Sequence, residues 1–107
     1  MKKLPNQYLS IRKRFGKLFD AVDNLGKVAR DIGPIDQKNS HLIQLAAAAS
    51  IKSEGSVHSH TRRALEAGAS PEEIYHTLIL LTSTVGFPTV SAALSWADDI
   101  IVKEVKK

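Results

Sequence analysis

Apolar residues recur at intervals of three and four along the first third of the chain, and this spacing predicts one amphipathic helix over about residues 5–32. The apolar positions, called here the N-terminal stripe, are Tyr8, Ile11, Phe15, Leu18, Val22, Leu25, Ala29 and Ile32. Gly33-Pro34 predicts the end of the helix, because glycine permits a left-handed cap and proline cannot continue a helix. Gly16 and Gly26 weaken its interior and allow a bend. Such a stripe can pack against a second chain as easily as against its own core.

Two more helices are predicted in the middle of the chain. The first starts at Asp36, a suitable N-cap, and runs through KNSHLIQLAAAASIK, which is apolar almost all round. A helix of that kind is typical of a central rather than a surface position. The second, VHSHTRRALEA, is expected to follow a break at Gly55, to take Ser56 as its N-cap and to stop at Gly68.

The last third of the chain predicts two further helices. The sequence SPEE gives the clearest local signal, because Ser70 is a good N-cap, Pro71 suits the first helical position and Glu73 completes a capping box. This helix, PEEIYHTLILLTSTV, is expected to end at GFP, and the last helix runs from Pro88 through SAALSWADDIIVKEV. No extended run of strand-like alternation occurs. The sequence therefore predicts an all-α fold of five helices.

The length and the apolar surface together predict self-association. A chain of 107 residues has no room for a second core, so a single domain over residues 1–107 is expected. Two predicted helices are apolar beyond a single face, including Ile79 and Leu80 beside the main stripe of the fourth helix. So small a monomer cannot bury all of that surface. We therefore predict an obligate homo-oligomer.

Composition excludes several classes of function. Without cysteine, the chain has no disulfide, no zinc–thiolate centre and no thiol nucleophile. The net charge of +4 would attract nucleic acid, but no aromatic residues alternate with the basic ones to stack on bases, so nucleic-acid binding is not expected. No apolar run reaches the ~18 residues of a membrane span, and the first residues lack the apolar segment of a signal peptide. We expect no membrane partner and a cytoplasmic location.

Candidate chemistry lies in SEGSVHSH, residues 53–60. A helix turns about 100° per residue, so the side chains of His58 and His60 diverge by roughly 200° and cannot hold one metal ion together. A metal site would need His41 or His76 as well, and no metal site is predicted. His60 falls within the apolar arc of its helix. Two interpretations remain open for it, a buried histidine bonded to a backbone carbonyl and a group that transfers protons.

The segment SVHSHTRRALEAGASPEEI…GFP, with HLIQLAAAAS before it, resembles the carboxymuconolactone decarboxylase-like superfamily, which includes the alkylhydroperoxidase D-type proteins. The resemblance covers residues 33–100 and adds little over the N-terminal helix. It implies a five-helix orthogonal bundle of the alkylhydroperoxidase D type, with a family core over residues 33–105. It also implies assembly into homo-trimers or homo-hexamers.

The thiol branch of this superfamily carries a Cys-x-x-Cys motif followed by a histidine. In this chain the resemblance puts the two cysteine positions on Ser53 and Ser56 and the histidine on His60. An upstream glutamate that relays protons in that branch falls on His41. A serine hydroxyl neither attacks peroxide usefully nor forms a disulfide. The chain is therefore not expected to be a thiol peroxidase.

The decarboxylase–lactonase branch needs no thiol, and the resemblance to it implies His60 as a general acid or base acting on a small lactone or carbonyl compound. His41 is expected to approach His60, either as a second proton carrier or as filler of a polar pocket. Ser56 is either a hydrogen-bond partner of the substrate or a plain N-cap. Glu54 either replaces the missing carboxylate or is an exposed loop residue, and His76 is interpreted as an interface histidine.

Two classes of function follow from these residues. One is a cysteine-independent enzyme that binds a small molecule in a pocket between subunits, and the other is a non-catalytic oligomeric module derived from the peroxidase fold. No cofactor is expected for either. Arg62 and Arg63 are expected to project into solvent, so neither is a candidate anchor for a substrate carboxylate.

Overall fold

The computed structural model describes the backbone of residues 6–105 and the side chains of residues 6–103, so the expected helix start at residue 5 lies outside the described residues. In that range the elements are α1 (Asn6–Arg14), α2 (Gly16–Asp31), α3 (Gln37–Ser50), α4 (Glu54–Glu66), α5 (Pro71–Ile79), α6 (Thr82–Val85) and α7 (Phe87–Val105). The all-α prediction is confirmed. The predicted number of five is wrong, because residues 6–105 form six helices of nine residues or more and the single turn α6. Over the same range, no helix is both long and apolar enough to cross a membrane.

The chain divides into two compact units, Met1–Pro34 with α1 and α2, and Ile35–Lys107 with α3 to α7. Whether the two units unfold together, as a single domain would, stays a prediction.

The first unit breaks the helix that the N-terminal stripe predicts as continuous. Phe15 leaves helical geometry, with φ −127° and ψ 46°. The rings of Tyr8 and Phe19 meet edge to face at 5.5 Å, and Arg12 lies 3.0 Å from Asp23. Each pair is eleven residues apart, a separation of about 16 Å in a straight helix, so α1 folds back on α2 at this point. Among the described residues of α1 and α2, none is buried.

Most helix ends follow their local signals. The Asp36 carboxylate accepts the backbone N–H three residues later, and Ser70 with Glu73 forms the predicted capping box. Gly68 follows α4 with φ 102°, a conformation that glycine adopts without strain. The left-handed cap predicted at Gly33 is wrong, because α2 ends in right-handed geometry at the preceding residue and Gly33 has no positive φ.

The start of α4 differs from its prediction. Ser53, not Ser56, is the N-cap: its hydroxyl accepts the backbone N–H of Ser56 at 3.4 Å. Gly55 therefore lies inside the first helical turn and does not break the chain. The reversal falls instead on Lys52, whose φ of 59° is left-handed and turns the chain directly after α3. Three residues thus join α3 to α4 as a tight helical hairpin.

The core of the second unit lies where α3, α4, α5 and α7 meet, with α3 packed most extensively on α4 and α4 on α7. Its buried members are Leu42, Leu45, Ala48, Ala49, Val57, Ala64, Ala69, Ile74, Leu78, Ala93, Ala97 and Ile101. The single chain leaves Ile43, Ile51, Ile79 and Leu80 exposed, so the expectation that α3 and the fourth predicted helix are covered on more than one side stays a prediction for the oligomer.

Polar contacts fix α5 against its neighbours. Lys38 of α3 lies 3.0 Å from Glu73, and the Tyr75 hydroxyl donates to Asp98 of α7 at 2.6 Å. That hydrogen bond to a carboxylate raises the pKa of Tyr75 to about 12, so the phenol stays protonated at neutral pH. The predicted fourth helix ends early at Ile79, and after α6 Gly86 turns the chain with φ 96° into α7.

Candidate functional site

Helix α4 presents its two histidines to different neighbours. His60 contacts His41 of α3, and His58 contacts Asp99 of α7. This division follows from the helical turn, because residues two apart diverge by roughly 200°. The two histidines therefore belong to separate sites, as the spacing predicts.

The histidine pair lies between α3 and α4. His41 Nδ1 and His60 Nδ1 are 3.3 Å apart, and the ring centroids are 5.5 Å apart with the planes inclined at 37°. His41 is buried, with 6% of its surface exposed, and His60 is half-buried. The expected approach of His41 to His60 is thus found, whereas their catalytic roles stay predictions.

The pairing of these rings follows from the packing of the α3–α4 hairpin. His41 shares a face of α3 with Leu45, one turn later, and His60 lies one turn from Val57 and from Ala64 on α4. Leu45, Val57 and Ala64 are fully buried, so the two histidine-bearing faces turn toward each other as the apolar side chains pack. The imidazoles end up at the edge of the core, where each Nδ1 atom has the other ring as its partner.

The chemistry open to this pair is proton transfer. In an Nδ1···Nδ1 hydrogen bond one ring donates and the other accepts, so the pair holds a single proton between the two Nδ1 atoms. A proton taken up by one ring is then shared with its neighbour, and the partly buried position keeps bulk water from competing for that bond. Such a pair can store one proton and deliver it.

Two buried oxygen atoms near the pair in sequence lack a hydrogen-bond partner among the described residues. Gln44 Oε1 is on α3, one turn after His41, and Thr61 Oγ1 directly follows His60 on α4. Buried polar atoms are nearly always hydrogen-bonded, so each of these atoms is a place where water or a ligand donor would bind. Our sequence reasoning missed both, although a glutamine interrupting the apolar run LIQLAAAAS is a readable signal.

The other residues considered from the sequence are Ser56, His76, Arg62 and Arg63. Ser56 is half-buried in the first turn of α4, one turn before His60, and its interpretation as the N-cap is wrong. Its proposed contact with a substrate stays a prediction. His76 is exposed on α5, and in the described part of the chain no hydrogen bond or ring contact joins it to the histidine pair. Arg62 and Arg63 are half-buried and do not project fully into solvent as expected.

The second histidine site combines imidazole with two carboxylates. His58 Nε2 is 3.0 Å from Asp99 Oδ2, and Glu54 lies one turn before His58 on α4. One ligand atom from each of the three residues lies within 4.8 Å of the other two. Sequence reasoning sought histidine partners for His58 and missed these carboxylates. The spacing of four between Glu54 and His58 was available in the sequence, but the contribution of α7 required the fold.

The chain is similar to one protein in sequence and to one solved structure in fold. The chain is 30% identical over 93 residues to the uncharacterized protein MJ1511 of Methanocaldococcus jannaschii, covering 83% of this chain and 87% of that protein. The crystal structure of apo-lpg0406, a carboxymuconolactone decarboxylase family protein from Legionella pneumophila, matches with a TM-score of 0.71 and 25% sequence identity. That match covers 88% of this chain and 87% of the Legionella protein.

The sequence profile of the carboxymuconolactone decarboxylase family matches residues 16–99. The matched region contains both histidine sites. It also contains all of α2, where the resemblance was expected to add little. The chain belongs to the carboxymuconolactone decarboxylase family.

Proposed function

We propose that this protein is a cysteine-independent enzyme in which the His41–His60 pair transfers a proton to or from a small lactone or related carbonyl compound. The observation that carries the proposal is the 3.3 Å contact between the two Nδ1 atoms at the edge of the core. A chain without cysteine has no route to thiol-based peroxide reduction, and paired imidazoles supply acid–base chemistry instead.

Decarboxylation of a carboxylated lactone fits this chemistry. The bond between a ring carbon and its carboxylate breaks, and CO₂ leaves. The electron pair stays on that carbon and delocalises onto the conjugated lactone carbonyl. A proton then forms the new C–H bond, so that one carboxylate and one proton yield one CO₂ and one neutral product. The proposed role of the pair is to deliver that proton, with His60 as the half-buried ring that meets the substrate and His41 as the buried ring behind it.

Polar atoms beside the pair would orient the substrate. Ser56 lies on α4 one turn before His60, and Gln44 lies on α3 one turn after His41. Because α3 and α4 form a tight hairpin, these two side chains extend the polar strip that begins with the histidines. The unpartnered Gln44 Oε1 is suited to accept a hydrogen bond from a substrate hydroxyl, and Ser56 to donate one to a carbonyl oxygen.

Self-association is part of the proposal, as a homo-trimer or homo-hexamer. The support is the exposed apolar surface of the single chain, which includes Leu18, Val22 and Leu25 in the first unit and Ile43, Ile79 and Leu80 in the second. Side chains of this size in such number are typical of surfaces that another subunit covers. Sedimentation velocity at micromolar concentration is the direct test, and a monomer would contradict this part.

The catalytic part is tested by CO₂ release from a panel of γ-carboxylated lactones. We expect His60→Gln to lower kcat by about 10²–10⁴, the usual contribution of a general acid or base, with a smaller loss for His41→Gln. His76→Gln, at an exposed histidine of α5, is the matched control and should leave turnover unchanged. Nitrogen NMR of the imidazoles checks the pairing itself. His60→Gln should shift the His41 Nδ1 resonance, whereas His76→Gln should not.

The alternative function is a non-catalytic oligomeric module, supported by the same exposed apolar side chains. It predicts that no lactone in the panel is turned over and that His60→Gln leaves assembly unchanged. Turnover that survives His60→Gln would likewise remove the pair from the mechanism, even if another site performed the reaction.

A further inference from the structure

The geometry points to a second site on α4, a binding site for a divalent transition-metal ion formed by Glu54, His58 and Asp99. It lies on the side of α4 that faces α7, whereas the His41–His60 pair lies on the side that faces α3. The proposal is therefore independent of the proposed proton-transfer function.

The backbone places the three ligands without special strain. Glu54 and His58 are four residues apart in α4, so their side chains project from one face of the helix, one above the other. The same spacing positions pairs of metal ligands on helices in many metalloenzymes. Asp99 comes from α7, the helix packed against that face. Its neighbour Asp98 is held by the hydroxyl of Tyr75 on α5, which fixes the rotation of α7 and leaves Asp99 directed at α4.

The distances suit a shared ion. His58 Nε2 and Asp99 Oδ2 are 3.0 Å apart, and one ligand atom from each of the three residues lies within 4.8 Å of the others. Ligands bound at about 2.1 Å to one ion are about 3.0 Å apart at right angles and about 4.2 Å apart on opposite sides. His58 Nε2 and Asp99 Oδ2, at 3.0 Å, already have the spacing of two ligands at right angles. Glu54 and Asp99 are exposed, so a rotamer adjustment of under about 1 Å brings the third ligand into range.

Charge also favours an ion over a simple histidine–aspartate pair. Such a pair accounts for His58 and Asp99 but gives Glu54 no role, and it leaves two carboxylates close together, where they repel each other. A divalent cation balances both negative charges. The imidazole nitrogen selects zinc and similar first-row ions over magnesium and calcium, which prefer oxygen alone. Three protein ligands leave a further position for water or a substrate oxygen, as in catalytic zinc sites.

The test is calorimetric titration of the full-length, chelator-treated protein with zinc chloride. We expect one ion per chain with a dissociation constant below about 100 μM. Glu54→Gln, His58→Gln and Asp99→Asn should each weaken binding at least tenfold, while His76→Gln should leave it unchanged. Magnesium and calcium in excess should not compete. Circular dichroism confirms that each variant is folded, which these exposed or half-exposed positions allow.

Several results would overturn the proposal. Binding weaker than about 100 μM removes the site. Unchanged zinc binding in Glu54→Gln would show that Glu54 is not a ligand and would remove the three-residue site. Loss of zinc binding in His60→Gln, with full binding in Asp99→Asn, would place the ion at the other histidine site. X-ray absorption at the zinc edge gives a second readout, because imidazole scattering should disappear in His58→Gln.

Discussion

Both compact units carry apolar side chains at helical spacing, but the burial of those side chains is opposite. In the first unit the N-terminal stripe includes Leu18 and Leu25, which are 60% and 69% exposed, and no described residue of its two helices is buried. In the second unit Leu45, Ile74 and Leu78 have no exposed surface. Helical spacing therefore predicts that a face is apolar, but it does not predict what covers that face.

The difference comes from what each unit contains. Helices α3 to α7 supply one another with packing partners, so their apolar faces close into a core. A pair of helices has too little surface to enclose its own apolar side chains. The exposed stripe of the first unit is consequently the surface on which the proposed self-association depends most directly.

The largest expected effect is the contrast between two leucine truncations. Leu45→Ala removes a fully buried side chain and should lower the free energy of unfolding by about 2–5 kcal/mol, because it loses apolar burial and leaves a cavity. Leu25→Ala makes the same chemical change at an exposed position and should cost under about 0.5 kcal/mol in the isolated chain. Urea unfolding at the lowest practical protein concentration compares the two.

The control for these two leucine variants is to repeat the unfolding at several protein concentrations. If copies of the chain cover the N-terminal stripe, Leu25→Ala should weaken assembly, and its cost in stability should grow as concentration rises. A cost equal to that of Leu45→Ala at every concentration would contradict the contrast, because it would mean that Leu25 is buried within its own chain.

The next effect concerns the start of α4 in the second unit. Ser53→Ala removes the hydroxyl that caps the helix and should lower the free energy of unfolding by about 1 kcal/mol. Ser56→Ala, the matched control inside the first turn, should change it by under about 0.5 kcal/mol. Thermal or urea unfolding measures both. If Ser56→Ala lowered the free energy of unfolding more than Ser53→Ala, Ser56 would be the N-cap and α4 would begin one turn later.

The same serines illustrate what the sequence could and could not predict. The capping box at Ser70 and Glu73 was predictable because all of its partners lie within four residues. The cap of α4 was not, because Ser53 and Ser56 are equally good candidates and the choice depends on Lys52. A lysine is rarely left-handed, so the sequence assigned the reversal to Gly55, whereas the packing of α3 on α4 places it at Lys52.

The two candidate sites also combine contacts that the sequence predicts with contacts that only the fold reveals. The approach of His41 to His60 followed from the family resemblance, and the separation of His58 from His60 followed from helical geometry alone. Asp99 could not be joined to His58 from the sequence, since the two are 41 residues apart and meet only through the packing of α7 on α4. The break at Phe15 was likewise hidden, because the apolar spacing continues through it without interruption.

A smaller effect tests whether the two units unfold together. Gly16 in α2 and Gly55 in α4 are both helical, and a Cβ at either position would meet no atom within 4 Å. Alanine should therefore raise the free energy of unfolding by about 0.4–1 kcal/mol at each site, by restricting the unfolded chain. Calorimetry should show both changes in one transition if the single-domain prediction is correct. A shift with Gly55→Ala alone would mean that the first unit unfolds separately.

The smallest effect is the pH dependence of the contact between α3 and α5. The backbone N–H of Ser70, and then Lys38, hold the pKa of Glu73 below its usual value. A carboxylate whose pKa is lowered by folding stabilises the protein above its unfolded-state pKa of about 4.5, and this contribution disappears as pH falls through the lowered value. Glu73→Gln keeps a side chain able to complete the capping box but removes the charge. It should be less stable than the parent protein at pH 7 and equal to it at pH 2.

Lys27→Met, which removes an exposed ion pair within α2 of the first unit, is the control and should leave the unfolding of the second unit unchanged at either pH. A difference between Glu73→Gln and the parent that persists at pH 2 would attribute the effect to cap geometry, and the charge of Glu73 would then contribute nothing to holding α5 on the core.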